Sequence, residues 1–223
     1  MKFCVVREEV NRLLGGEGSG HGADHSERVE RLALAFAQTE KADGTLVSLI
    51  ALLHDADDYK LFGKENAEAL PNARRILALA GAQEEAAEKV LSEIKRIGYS
   101  KALKGIRPQT PEGKCVSDAD MCDALGANGI LRAYAYGAAH GRPFFEPAPA
   151  AREHMSADEY VKGGTSSGVG HMFEKILRLK KYMLTPSGKA EAELRHAATV
   201  DFLDELFREE GAEELRKTLL SFR

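Results

Sequence analysis

The chain has 223 residues, 43% of them apolar and 30% charged, with a formal net charge of −4. This is the balance of a globular protein long enough to bury a full core, and without a basic run it argues against a nucleic-acid groove as the main function. No apolar stretch approaches a membrane span, the N-terminal segment lacks the apolar core of a secretion signal, and the three cysteines (Cys4, Cys115, Cys122) fit a reducing compartment, so a cytoplasmic location is expected.

Helical periodicity covers most of the chain and strand alternation is nearly absent, which predicts an all-α fold in a single domain over 1–223. Val5 to Leu14 reads as a short helix stopped by Gly15-Gly16. Asp24-His-Ser-Glu27 has capping-box spacing ahead of the amphipathic run Val29, Leu32, Leu34, Ala35, Phe36. Thr45 to His54 is apolar on every side through Leu46, Val47, Leu49, Ile50, Leu52 and Leu53, so it should be buried. Glu65 to Leu79 and Glu84 to Ile97 read as a surface pair of helices joined across Gly81, a surface that can serve a homodimer.

Gly98 to Pro111 is a basic loop with Lys101, Lys104 and Arg107. Val116 to Tyr136 reads as one helix whose small residues (Ala119, Ala124, Gly126, Ala127, Gly129, Ala133) suit close packing at the centre of the fold. Residues 138–170 form the least regular stretch, with Pro143, Pro147, Pro149 and a Gly-Gly-Thr-Ser-Ser-Gly run; long irregular loops of this kind are functional lids or disordered. Two long helices, His171 to Tyr182 and Gly188 to Phe207, and a short last one to Leu220 complete the chain.

The chemistry concentrates where the buried helix ends, in Leu-Leu-His54-Asp55-Ala-Asp57-Asp58. An imidazole and a carboxylate closing a buried helix each need a partner. Three carboxylates at a helix C-terminus oppose the macrodipole, and a bound cation reverses that argument. Neighbours on a helix diverge by about 100°, so other helices must complete a metal site. His25, at the start of the second helix, and Asp120, in Ser117-Asp-Ala-Asp-Met-Cys-Asp123, are the candidates. Two imidazoles and two carboxylates suit one divalent ion, whether Mn, Fe, Co, Ni, Zn or Mg.

The ordered set His25, His54-Asp55 and Asp120 resembles the HD-domain phosphohydrolase superfamily. His25-Ser-Glu-Arg28-Val29 is similar to the family's His-x-x-Arg-Val string, and Ala119-Asp120-Met121-Cys122 to its Ala-Asp-x-Leu string, with Cys122 in place of leucine. Strings resembling a subgroup of small stand-alone bacterial HD hydrolases continue through Asp58-Tyr-Lys60, Arg132-Ala-Tyr-Ala-Tyr-Gly137 and His171-Met-Phe-Glu174-Lys175, so the likeness spans roughly residues 20–210. The resemblance implies an all-α bundle around a metal, with a core near 20–136 and C-terminal helices over 171–220. It implies hydrolysis of a phosphate ester or anhydride, often of a nucleotide. No second His pair of the dinuclear members lies between Asp55 and Asp120, which favours a single metal.

On this reading His25, His54, Asp55 and Asp120 hold the metal, and Asp58 or Asp55 accepts a proton from the attacking water. Asp58 reads equally as a helix-end residue tied to Lys60. Lys60 and Lys175 are the favoured phosphate partners, and His171 a further substrate contact; Lys101 and Lys104 fit a solvated loop better. His21 reads as solvent-exposed, and Asp123 as a group orienting a histidine ligand. Two alternatives stand beside a nucleotide phosphohydrolase: an alarmone (guanosine tetraphosphate-like) hydrolase, and a metal-containing nucleotide-binding module without turnover.

Overall fold

The computed structural model describes residues 1–16, 22–147 and 167–223. Among these residues every regular element is helical, and the chain groups into two compact units, Met1–Asp120 and Met121–Arg223. His21 and residues 148–166 of the irregular stretch lie outside the described residues.

The first unit runs α1 (Phe3–Leu14), α2 (Ala23–Glu40), α3 (Gly44–Leu53), α4 (Tyr59–Ala69), α5 (Pro71–Leu79), α6 (Glu84–Ile94), α7 (Tyr99–Leu103) and α8 (Pro111–Asp123), whose last turn passes into the second unit. The buried helix is α3: every residue from Val47 to Leu53 is enclosed, and α1, α2 and α6 pack around it. Asp43 starts it, its Oδ1 accepting the Thr45 N–H at 2.8 Å. α2 lays Val29, Ala33, Phe36 and Ala37 inward; of the run read from the sequence, Val29 and Phe36 are buried, Leu32 and Leu34 are half-buried and Ala35 is exposed.

Three readings of the sequence change in this unit. Asp24 to Glu27 forms no capping box: α2 begins at Ala23 after Gly22, and Asp24 pairs along the helix with Arg28 at 2.6 Å. The helix expected over Glu65 to Leu79 is two, because Pro71 cannot continue a helix and opens α5 instead, with Leu70 turned into the left-handed region at φ 55°. The basic loop holds a short helix, α7.

The first turn of α8 is tied down by two carboxylates. Glu93 of α6, 2% exposed, accepts the Gln109 N–H at 3.1 Å and the Thr110 N–H at 3.2 Å. Glu112 accepts the Asp43 N–H at 2.9 Å, linking the start of α8 to the start of α3.

The second unit contains α9 (Gly126–Ala139), α10 (Gly168–Glu174), a 3-10 turn (Ile176–Tyr182), α11 (Pro186–Glu209), α12 (Glu213–Leu219) and a final 3-10 turn (Leu220–Phe222). α11 is its spine, packed against α9, α12 and the first 3-10 turn. The single helix expected over Val116 to Tyr136 breaks at 124–125, and Gly126 takes φ +67° with Arg195 against its Cα, a place and conformation that suit only glycine. The helix expected over His171 to Tyr182 likewise divides into α10 and a 3-10 turn.

Candidate metal centre

Three helix ends meet in the first unit. α2 contributes His25 from its first turn, α3 delivers His54 and Asp55 at and just past its C-terminus, and Asp120 comes from the last turn of α8. The Nε2 atoms of His25 and His54 lie 3.3 Å apart. Asp55 presents one oxygen to each, Oδ2 at 3.6 Å from His25 and Oδ1 at 3.6 Å from His54. Asp120 Oδ1 is 3.4 Å from His25 Nε2 and 3.8 Å from His54 Nε2. The ligand atoms of His25, His54 and Asp120 thus lie within 4.8 Å of one another, and the Asp55 carboxylate touches both imidazoles of that group. Both imidazoles are buried, at 1% and 2% side-chain exposure, while Asp120 keeps 23% and marks the open side.

His54 Nδ1 lies 2.7 Å from the Ala51 carbonyl, which can only accept, so Nδ1 donates there and Nε2 is the nitrogen turned toward the cluster. Burial and the adjacent Asp55 carboxylate act to raise the Asp120 pKa. The His25 hydrogen bond and the two imidazoles outweigh them, so Asp120 lies below its ordinary value and stays ionised. Two imidazoles and two carboxylates gathered in a partly dry site form a nitrogen and oxygen donor set of the kind that a divalent cation takes. His25, His54 and Asp120 each offer a ligand atom within 4.8 Å of the others, a spacing over which one ion could be shared. The donor set fits one divalent metal.

The neighbouring carboxylates go elsewhere. Asp57, 3% exposed, accepts from the start of α5, and Asp58 Oδ1 accepts the Lys60 N–H at 2.9 Å as the N-cap of α4. Asp55 faces the imidazoles, and the helix-end crowding read from the sequence is relieved where Asp57 and Asp58 cap two new helices. Lys60 is exposed, its Nζ over the Tyr59 ring at 5.9 Å. Asp123, Lys175 and His171 belong to the second unit, where Asp123 pairs with Arg132 at 2.7 Å. Sequence reasoning missed the supports of the site: the Ala51 carbonyl, which no side chain announces, and Glu93 and Asn72, whose partners are main-chain groups distant in sequence.

The HD domain family model matches residues 22–125, a span that contains all four clustered residues. The Bacillus subtilis protein YpgQ is 33% identical over 210 residues, covering 90% of either chain. A Lactobacillus plantarum structure is 30% identical, with a TM-score of 0.81 over 95% of this chain and 98% of its own. The structure of YpgQ in complex with ADP gives a TM-score of 0.69 at 29% identity, covering 92% of this chain and 95% of that one. An HD-superfamily hydrolase from Bacillus thuringiensis gives 0.69 at 30% identity, covering 93% and 95%. No helix among the described residues is long and apolar enough to cross a membrane.

Proposed function

Because the chain belongs to the HD-domain superfamily, we propose that it is a metal-dependent phosphohydrolase that cleaves a phosphate ester or anhydride of a nucleotide. The observation that carries this reading is the cluster of His25, His54 and Asp120, whose ligand atoms lie within 4.8 Å of one another, with the Asp55 carboxylate 3.6 Å from each imidazole Nε2. A divalent ion held by these residues would supply Lewis acidity, lowering the pKa of a bound water and polarising a phosphoryl oxygen. The nucleotide class draws support from YpgQ, whose structure is a complex with ADP.

His25, His54, Asp55 and Asp120 are assigned as the ligands. Asp58 or Asp55 takes the proton released as water oxygen adds to phosphorus, and the leaving P–O bond takes its electrons to the departing oxygen. Asp55 is held facing both imidazoles; Asp58 is anchored by its Oδ1 at the mouth of α4. Lys60 supplies a cation beside Asp58 for the phosphate. Lys175 and His171 enter the proposal through the family-like string they share. Location in the cytoplasm and a homodimer belong to the same reading.

The test is release of phosphate and pyrophosphate from a nucleotide panel by metal-stripped protein given Mn, Co, Ni, Mg, Fe or Zn. Metal-dependent release abolished by Asp55→Ala supports a hydrolase. Stoichiometric metal binding with no release from any nucleotide overturns it in favour of a binding module.

A further inference from the structure

α5 has no cap of its own. The residue before it, Leu70, is apolar and 3% exposed, and Pro71 has no N–H to offer. The first two free donors of the helix, Asn72 N–H and Ala73 N–H, go to the two oxygens of Asp57, at 3.1 and 2.9 Å. Asp57 lies two residues beyond Asp55, so the anion at this helix start is drawn from the turn that carries the metal ligands. The Asn72 side chain adds two bonds in the same direction: Nδ2 donates to Asp57 Oδ1 at 2.9 Å and to the Ala56 carbonyl at 3.1 Å.

The bond to Ala56 is the informative one. It contributes nothing to capping α5, because its acceptor is a main-chain oxygen of the turn itself, one residue past Asp55. A helix start needing only a cap could take it from a serine, threonine or aspartate at position 70. Here the turn is fixed on both sides of the ligand pair, by Ala51 upstream through His54 Nδ1 and by Asn72 downstream. Without that second anchor the segment after α3 retains the turn bonds Ala56 N–H to Leu53 and Asp58 N–H to Asp55, which leave the Ala56 carbonyl to other partners.

We infer that Asn72 is a positioning residue of the metal centre, acting through the Ala56 carbonyl and the Asp57 carboxylate to hold Asp55 facing the two imidazoles. The inference rests on the reading of the His25, His54, Asp55, Asp120 cluster as a metal site. Groups that orient ligands in this way typically change metal affinity by about 10–100-fold when removed.

Asn72→Ala in the full chain deletes both side-chain bonds and keeps both main-chain donors to Asp57, so the cap of α5 survives. The readout is Mn(II) affinity of metal-stripped protein, followed by the electron paramagnetic resonance signal of free Mn(II), beside the urea midpoint of the metal-free protein. The expected result is roughly 10-fold weaker Mn(II) binding with a metal-free midpoint close to the parent's. Asn72→Ser, which retains a donor, is expected between the two and gives a second reading should the alanine variant not fold. A lowered midpoint with unchanged Mn(II) affinity makes Asn72 a structural residue only and overturns the inference. Failure of the unsubstituted protein to bind any of Mn(II), Co(II), Ni(II), Fe(II), Mg(II) or Zn(II) overturns the metal-site reading and this inference with it, an outcome distinct from parent and variant binding alike.

Discussion

Replacing Gly113 by alanine tests the tie between Glu93 and the start of α8. A methyl group at 113 would overlap Glu93 Oε2 and lie 2.8 Å from its Cδ and 2.9 Å from Pro108 Cβ. A surface glutamate would swing aside, but Glu93 is 2% exposed and holds the Gln109 and Thr110 N–H groups. Each hydrogen bond to a charged group contributes about 1.5–3 kcal/mol, so displacing the carboxylate from both, with partial relaxation, costs about 2–4 kcal/mol. That is a large share of the roughly 5–15 kcal/mol by which a native protein is stable. The assay is urea unfolding by circular dichroism for the parent, Gly113→Ala, Glu93→Ala and the double variant. In the Glu93→Ala background the clash is gone and alanine's better helix propensity, about 0.8–1.0 kcal/mol over glycine, works against the remaining Pro108 contact. Gly113→Ala therefore changes from strongly destabilising to near neutral, a coupling visible only in a double-mutant cycle. Equal penalties in the two backgrounds would refute the reasoning.

Asp120→Asn removes one of the two carboxylates that face the imidazoles and is expected to weaken Mn(II) binding at least about 10-fold and bring nucleotide hydrolysis to background; full metal content and activity in this variant would contradict the site. Burial, chiefly, pushes the Cys115 thiol up to about 12, and Cys122 is also buried. A thiol-disulfide reagent at pH 8 should therefore titrate Cys4 rapidly in the native protein and all three cysteines only in denaturant. His196 donates Nε2–H to the Phe222 carbonyl at 2.7 Å, its Nδ1 is buried without a partner, and burial lowers its pKa from 6.5. Below 6.5 the unfolded chain takes up this proton before the folded one, so stability is full above that pH and falls as the pH drops. His196→Gln should lessen the loss of urea midpoint between pH 7.5 and 5.5; an identical loss would show that this group does not contribute.

The four ligand candidates were legible in the sequence because their chemistry is borne by side chains: a buried apolar helix ending in His54-Asp55 demands partners, and His25 and Asp120 are the polar residues that open and close neighbouring helices. The all-α class followed from periodicity. Helix breaks were harder to see. The dependence of α5 on Pro71 was overlooked because alanine and glutamate on either side read as a continuous helix, and the corner at Gly126 was hidden among small residues that also suit tight packing. Asp57 and Asp58 looked like a cation cluster because a sequence shows charge without direction; in the structure their carboxylates serve the first N–H groups of α5 and α4. Glu93 was unreadable for the same reason, its acceptors' partners being main-chain donors more than a dozen positions away.

The spacing of the ligands along the chain has a consequence in time. His25 and His54-Asp55 come from helices that follow each other closely, whereas Asp120 arrives on α8 after four intervening helices. Joining residues 25 and 120 closes a loop of roughly 95 residues, and the entropy of that closure grows only logarithmically with length. An ion can meet three donors as soon as the hairpin of α2 and α3 has formed, and meets the fourth only after α8 has docked. For an ion held by these four residues, capture would divide into an early, weak stage and a late, tight one, and the moment of tightening during refolding would be a clock for the last helix to find its place.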